Sequence, residues 1–309
     1  MSSPRLITVF GATGSQGGSV VQSLLQNKSQ AFRIRGITRN PESEKAKALA
    51  EHGVEVVKAD GLVREESMNQ EGGPTELDIG KSLVDAAAEA GIRHFVYSGM
   101  ASASETTGGA VPNKAFDMKH AVGEYAKSKG FETVNVVSPG WYMENHLVED
   151  FAPALGGFPF TTDDEGYLTL RVPCWGGNEE IPFISIGDDY GDLVHGIFLD
   201  PKKYNGCLVQ GISASETTEK LVSEFGKGNK ARFVPIEDWK SMETYGDQSF
   251  ETVKYMFGFC QYSGGLYYGV PNDLGPATEL KAKAAEAKGQ SSDAKLMTLE
   301  GFWEKYFAP

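Results

Sequence analysis

The sequence predicts an α/β fold built on a doubly wound parallel sheet, and three observations point to it. An apolar strand at residues 6–10 runs directly into a glycine-rich turn that opens a helix. Strand-like and helix-like segments then alternate along the first half of the chain. A region rich in glycine and aromatic residues follows, which indicates a second lobe. We therefore predict a Rossmann-type domain over residues 1–150, with elements returning from 182–210, and a substrate or cap lobe that makes up most of 151–309.

Composition narrows the classes of partner. The chain has 309 residues and a net charge of -13, and such a negative field repels nucleic acid and anionic membranes, so we expect neither as a direct partner. Cys174, Cys207 and Cys260 lie far apart without C-x-x-C spacing, which predicts core residues rather than a disulfide framework, and no metal site is expected. The sequence has no signal segment or membrane-length apolar run, so the expected location is the cytoplasm, with nuclear entry left open.

The turn at residues 11–16, Gly-Ala-Thr-Gly-Ser-Gln, has the spacing of a phosphate-binding turn. Gly11 can adopt the angles of a tight turn, Gly14 lets a phosphate approach the backbone, and either Gly17 or Gly18 lets the helix pack on the strand. The free N–H groups and the positive dipole at the helix start favour an anion without a basic side chain. Because a strand precedes the turn and a helix follows it, we predict that it binds a dinucleotide pyrophosphate.

A second strand is predicted at residues 31–38, and Arg39 and Asn40 follow it directly. NAD-specific folds usually carry an acidic residue at this position, whereas a basic residue accommodates the 2′-phosphate of NADP. The pattern therefore favours NADP(H) over NAD(H), and the alternative is a solvated arginine at the end of a strand. A helix at 42–51 and a third strand at 54–58 follow.

The interval between the third strand and the next apolar strand is too short for a complete sheet. A helix, a fourth strand and a second helix need about 45 residues there, and residues 59–93 are fewer and contain one amphipathic helix, at 75–90. Residues 94–99 then have the pattern of the usual fifth strand. We predict that a strand was lost between Gln70 and Glu71, by a deletion or an incorrect exon boundary. Because unpaired inner edges are costly, the fifth strand should then pair directly with the first.

The rest of the chain alternates between short strands and helices. Two further segments stand out. The aromatic run at 255–268 is compatible with an apolar pocket, an interaction surface or, most simply, core packing. The segment at 279–294 has the composition of a mobile charged helix or linker. The other predicted elements are a helix that ends at Gly130, strands at 133–138, 167–172, 182–186, 207–210 and 231–235, and helices at 187–199, 217–225 and 297–306.

Five motifs occur in order along nearly the whole chain. They are Val-Phe-Gly-Ala-Thr-Gly-Ser-Gln-Gly-Gly-Ser-Val at 9–20, Ile-Thr-Arg-Asn-Pro at 37–41, Tyr-Ser-Gly at 97–99, Phe-Asp-Met-Lys at 116–119 and Trp-Tyr-Met-Glu-Asn at 141–145. Together they resemble the NmrA-like family of atypical short-chain dehydrogenases/reductases, which includes NADP-sensing and isoflavone-reductase-like proteins.

The resemblance implies a set of residues that contact NADP(H). The residues that match the pyrophosphate turn are Gly11, Ala12, Thr13, Gly14, Ser15 and Gln16. Arg39 and Asn40 match the loop that contacts the 2′-phosphate, and Lys81 matches a family lysine near the cofactor. Lys119 matches a lysine near the nicotinamide ribose that assists catalysis in isoflavone-reductase-like relatives. The segment that closes over the nicotinamide matches Tyr142, Met143, Glu144 and Asn145.

Carbonyl reduction requires a proton donor near the developing oxyanion, usually a tyrosine assisted by a lysine. Tyr125 and Lys129 have the Tyr-x-x-x-Lys spacing, but they lie at the polar end of a helix stopped by Gly130, which indicates solvated residues. Lys119 and Tyr142 are therefore the catalytic candidates. The alternatives are cofactor binding alone for Lys119 and packing against the nicotinamide for Tyr142.

These features predict an NADP(H)-dependent oxidoreductase that acts on a small, moderately apolar metabolite, and the resemblance points to fungal secondary metabolism. The alternative is an NADP(H)-binding redox sensor, or a protein that binds a transcriptional regulator, without turnover. The first hypothesis implies a small-molecule substrate, and the second a regulatory protein as partner.

Overall fold

Strands and helices alternate along the first half of the chain, as the sequence predicts. The computed structural model describes residues 4–29, 32–59 and 73–307. Its strands are β1 (Arg5–Phe10), β2 (Phe32–Thr38), β3 (Glu55–Lys58), β4 (His94–Ser98), β5 (Thr133–Pro139), β6 (Trp141–Tyr142), β7 (Leu168–Leu170), β8 (Ile181–Ile184), β9 (Leu208–Gly211), β10 (Ala214–Glu216) and β11 (Ala231–Phe233). Its α-helices are α1 (Ser15–Leu25), α2 (Glu44–Glu51), α3 (Glu76–Glu89), α4 (Ala103–Thr106), α5 (Lys114–Lys127), α6 (Gly191–Leu199), α7 (Thr218–Phe225), α8 (Gln248–Ser263), α9 (Gly275–Ala287) and α10 (Leu299–Phe307). None of these helices has the length and apolarity to span a membrane.

Two parallel three-stranded sheets, which we call the first and second half-sheets, contain the strands of the predicted Rossmann-type domain. The first has the strand order β1-β2-β3 and the second the order β4-β5-β9. Strand β5 is buried along its whole length because it lies between two other strands and carries an apolar run. Parallel pairing directs the carboxyl ends of each half-sheet to one edge, where the helices that follow begin.

The predicted direct pairing of β1 with β4 is wrong for the residues that the structure describes. In those ranges β1 pairs with β2 and β4 pairs with β5, and the two half-sheets remain separate. The physical reason is packing: Ile7 of β1 and Val96 of β4 contact one apolar cluster, which also contains Tyr190. That shared layer holds the half-sheets without a ladder between them. The predicted deletion between Gln70 and Glu71 lies outside the described residues.

The remaining strands form two smaller sheets over an aromatic core. Strand β8 lies between β6 and β10, and β7 pairs in parallel with β11. The aromatic run belongs largely to α8, whose inner face buries Phe257 and Phe259 in this core, in accord with the simplest interpretation of the sequence. Tyr255 and Tyr262 of the same helix are 40% and 62% exposed.

Of the two alternatives predicted for 279–294, a charged helix is correct for most of the segment, which belongs to α9, but this helix is packed against the fold. Leu280 is fully buried, and a Cβ at Gly196 of α6 would lie 2.7 Å from the Leu280 carbonyl oxygen. The Nζ of Lys281 pairs with Asp189 at 2.8 Å and with Asp192 at 3.0 Å. Two buried carboxylates thus neutralise a lysine that the composition alone marks as solvated.

The cysteine prediction is correct for one residue of three. Cys260 is buried in the aromatic core, Cys174 is half-buried, and Cys207 is exposed. Cys207 lies immediately before β9, where the chain enters the second half-sheet from a surface turn, so its side chain is not drawn into the core.

Candidate functional site

The glycine turn between β1 and α1 has the geometry that a phosphate-binding turn requires. Gly11 has a φ of +67°, a left-handed conformation that favours glycine. A Cβ at Gly17 would lie 2.3 Å from the Gly11 carbonyl oxygen, whereas one at Gly18 would lie at an ordinary 3.6 Å from the Ala12 carbonyl oxygen. Gly17 is therefore the third glycine of the motif, which resolves the alternative that the sequence leaves open.

The start of α1 presents backbone N–H groups to an open surface. Gly14 occupies the N-cap position, and the first turn contains no acidic residue. Gly14 and Ser15 are exposed, whereas the Ala12 side chain is buried beneath the turn and its N–H donates to the Ile37 carbonyl oxygen at 3.1 Å. This arrangement holds the turn against β2 and leaves the helix start able to accept an anion.

The end of β2 lies beside this turn. The hydroxyl groups of Thr13 and Thr38 are 3.1 Å apart, and the Asn40 N–H donates to the Thr38 hydroxyl at 3.3 Å. The Asn40 side-chain oxygen accepts from the Glu42 N–H at 3.0 Å, which orders the loop, and Arg39 is exposed within that loop. The structure therefore brings Arg39 and Asn40 to the same edge as the glycine turn.

Tyr142 connects the turn to the end of the β5–β6 segment. The side-chain amide of Gln16, in the first turn of α1, donates a hydrogen bond to the Tyr142 hydroxyl. Burial raises the pKa of Tyr142, and the Glu144 carboxylate adds to that effect. The Tyr142 phenol therefore stays protonated at neutral pH and can act as a hydrogen-bond donor.

The residues after Tyr142 point in different directions. The Met143 side chain is fully buried in the aromatic core, so only its backbone is able to face a cofactor. Glu144 Oε1 accepts from the Gly187 N–H at 2.9 Å and from the Ser185 hydroxyl at 3.3 Å. Its second oxygen is buried and has no hydrogen-bond partner among the described residues. Asn145 is half-buried, in the 3-10 turn Met143–Leu147.

Lys119 lies on α5 and forms an ion pair with Glu76, the first residue of α3. Burial lowers the pKa of Lys119 to about 8. The described contacts of Lys119 are thus with α3 rather than with the Gln16–Tyr142 pair.

Lys81 belongs to a different cluster. Its Nζ lies 5.3 Å from the centre of the Tyr125 ring, on the contact between α3 and α5. Lys129 pairs with Asp85 at 2.7 Å, and the Tyr125 hydroxyl donates to the same carboxylate at 3.0 Å. Tyr125 and Lys129 therefore tie two helices together, which agrees with setting them aside as a catalytic pair, and cofactor binding by Lys81 stays a prediction.

The sequence reasoning missed two residues, Tyr190 near the end of β4 and Glu76 at the start of α3. Tyr190, in the π-helical turn Ile186–Tyr190, is buried and hydrogen-bonded to Ser98 at the end of β4. Glu76 was overlooked because it follows a loop and has the composition of a surface helix start. The helical spacing from Glu76 to Gly80 was the signal that could have placed it on the packed face.

The comparisons with known proteins agree along the whole chain. The model of the NmrA-like family matches residues 3–302. The NmrA-like family domain-containing oxidoreductase hkm9 of Aspergillus hancockii is 43% identical, over 98% of this chain and 97% of its own. A crystal structure of Nmra, a negative transcriptional regulator, in complex with NAD is similar with a TM-score of 0.72 at 18% identity, over 99% of this chain and 96% of that chain. A structure of Nmra in complex with NADP has a TM-score of 0.69 at the same identity, again over 99% of this chain and 96% of that chain.

The alignment with hkm9 also bears on the length of this chain. It extends over 327 positions, although the chain has 309 residues. Because both proteins are matched almost from end to end, the relative carries internal residues that have no counterpart here. Such an internal difference is of the kind that the loss of one strand and its loops would produce.

Proposed function

The chain belongs to the NmrA-like family, and from this premise we propose that it is an oxidoreductase that uses a nicotinamide dinucleotide, preferentially NADP(H), on a small, moderately apolar metabolite. One observation carries the proposal. The helix start of α1 is open, and a side chain at Gly17 would collide with the carbonyl oxygen of Gly11. Such a tight turn before an uncapped helix is the arrangement that receives a pyrophosphate.

The residues present fit this cofactor. Backbone N–H groups of Thr13, Ser15 and Gln16 would hold the pyrophosphate, and Arg39 with Asn40 would hold the 2′-phosphate. A bound nicotinamide supplies hydride chemistry. On the protein side, Tyr142 would donate a hydrogen bond from its protonated hydroxyl, and Lys119 would orient a ribose or supply a proton through water.

Thermal unfolding with NADPH, NADP⁺ and NADH tests the binding part of the proposal. At a ligand concentration one hundred times Kd, mass action adds about 2.7 kcal/mol of stability. NADPH oxidation in the presence of a panel of aldehydes, quinones and imines then tests turnover. Stabilisation by NADPH without oxidation across the panel would contradict the enzyme, and no stabilisation by any of the three would contradict the cofactor site.

A second candidate function is redox sensing without turnover. The observation that favours it is Ala115, which occupies the position one helical turn before Lys119 where short-chain enzymes place a catalytic tyrosine. The fold is also shared with Nmra, described as a negative transcriptional regulator. A sensor requires different conformations with NADP⁺ and NADPH. Hydrogen exchange that is identical in the two complexes would rule it out.

Replacing Arg39 should change the preference between cofactors. We expect Arg39→Asp to weaken NADPH binding about ten- to hundredfold, because a charge-assisted phosphate contact contributes about 1.5–3 kcal/mol, and to weaken NADH binding less. The ratio of the two Kd values, measured by fluorescence titration, reports the change. Arg33→Asp alters an exposed arginine of β2, the strand that leads into the Arg39 loop, and is the matched control. An unchanged ratio in Arg39→Asp would assign Arg39 to the solvated alternative.

A further inference from the structure

A glycine brings α3 and α5 into close contact near Lys119. A Cβ at Gly80 of α3 would lie 2.3 Å from a methyl group of Val122 on α5. Val84 and Ala126, one turn further along their helices, are fully buried in the same contact. The two helices are therefore held in one register, which a larger residue at position 80 would not allow.

This register places Glu76 opposite Lys119. Glu76 lies four residues before Gly80, and Lys119 lies three residues before Val122, so both belong to the contact faces of their helices. The start of α3 is ordered by a capping box, in which the Asp78 N–H donates to the Thr75 hydroxyl at 3.2 Å and the Thr75 N–H donates to the Asp78 carboxylate at 2.8 Å. Glu76 thus reaches Lys119 from a fixed helical turn.

Charge and burial make this ion pair consequential for the lysine. The side chains of Lys119 and Glu76 are only 30% and 33% exposed, and burial disfavours the charged form of an amine. Other ionisable groups that face α5 have partners of their own. On α3, Asp85 pairs with Lys129, and Lys81 lies over the Tyr125 ring. On α4, Glu105 lies 3.6 Å from His120, and on β4, Tyr97 packs near Gly123. Within the described ranges, Glu76 is the carboxylate that contacts Lys119.

We propose that Glu76 is a positioning residue for Lys119, which holds its ammonium group in place and keeps it charged, so that Lys119 can donate hydrogen bonds to the ribose of a bound nicotinamide dinucleotide. This inference rests on the proposed function. It assigns Glu76 a role through Lys119 and no contact with the cofactor or substrate.

The test compares Glu76→Gln with the wild-type chain by two readouts. The lysines are dimethylated with ¹³C-formaldehyde, the Lys119 resonance is assigned by its absence in Lys119→Arg, and its pKa is measured by NMR titration. We expect the pKa to fall by a unit or more in Glu76→Gln and to recover in large part in Glu76→Asp, which keeps the charge. The Kd for NADPH, measured by fluorescence, should rise between pH 6.5 and pH 9 in both proteins. The factor by which it rises should be about ten times larger in Glu76→Gln than in the wild type.

Glu124→Gln is the matched control, because it removes an exposed carboxylate paired at 2.7 Å with another lysine of α5, Lys127. It should leave both readouts unchanged. A Lys119 pKa that is the same in Glu76→Gln and the wild type would overturn the inference, whether or not NADPH binds. Failure of the wild type to bind NADPH would instead contradict the proposed function, and the NMR titration would still decide the role of Glu76.

Discussion

Gly17→Val should abolish the stabilisation of this protein by NADPH. The new Cβ would lie 2.3 Å from the Gly11 carbonyl oxygen, so α1 must move away from β1 and the turn between them must open. We expect Kd to rise by at least about hundredfold, which corresponds to about 2.8 kcal/mol of binding free energy. Isothermal titration with NADPH measures the loss.

Gly18→Ala is the matched control, because its Cβ would lie at an ordinary 3.6 Å from the Ala12 carbonyl oxygen. It should bind NADPH as the wild type does. If Gly17→Val also unfolds the chain, Ser15→Glu separates binding from folding. A carboxylate in the first turn of α1 favours the helix by about 0.3–1 kcal/mol, yet it repels a pyrophosphate. Ser15→Glu should therefore raise the free energy of unfolding and weaken NADPH binding, and unweakened binding would place the cofactor elsewhere.

The glycine turn could be predicted from the sequence because its chemistry is local. Gly11 needs a left-handed φ that its own backbone allows, and Gly14 caps the helix that it precedes. The sequence could not choose between Gly17 and Gly18, because that choice depends on which of them faces the Gly11 carbonyl across the turn. The orientation of one helix on one strand decides it.

Features that depend on distant partners were predicted poorly. Lys281 of α9 and Lys288, which caps its end, make this segment resemble a solvated helix. Asp189 and Asp192, from the turn and helix about ninety residues earlier in the chain, pair with these lysines and allow their charges to be buried. The pairing of β1 with β4 failed for a similar reason. The prediction considered only the cost of unpaired strand edges. It did not include the apolar layer that packs against both strands and contains Tyr190.

The side chains of the motif at 141–145 lie in different surroundings. The 3-10 turn places Met143 in the aromatic core and Glu144 against Gly187, and contacts of these two residues with a cofactor stay predictions. A resemblance assigns residues to a segment, and the backbone then decides which of them face the site.

Two buried histidines should make the protein sensitive to mild acid. His146 lies edge-on to Phe158 and Trp303, and its Nδ1 is 3.0 Å from the Met143 carbonyl oxygen. His195 lies between α1 and α6, with Nδ1 3.0 Å from the Ser23 hydroxyl. Both side chains are almost completely buried, and burial lowers the pKa of each to about 4.

The sign of the effect follows from proton counting. In the unfolded chain each histidine has a pKa near 6.5, so between about pH 6.5 and pH 4 the unfolded state binds protons that the folded state excludes. The free energy of unfolding therefore falls as the pH drops through this window and is independent of these two groups below it. Each histidine contributes at most about 1.4 kcal/mol per pH unit, and on the order of 3 kcal/mol over the window.

Urea unfolding at pH 7.5, 6.5, 5.5 and 4.5 measures this loss. His146→Phe replaces the ring with one that suits its aromatic neighbours, and His195→Gln retains an amide that can bond Ser23. Each variant should lower stability at pH 7.5 and reduce the pH-dependent slope, to which His94, whose pKa burial also lowers, contributes as well. His52→Gln, at an exposed position, is the control and should keep the full slope. The acidic groups whose pKa the fold lowers, such as Asp192, lose their contribution as the pH falls below about 4, outside most of the measured range. A slope between pH 6.5 and 4.5 that survives unchanged in the double variant would show that neither histidine is kept neutral by the fold.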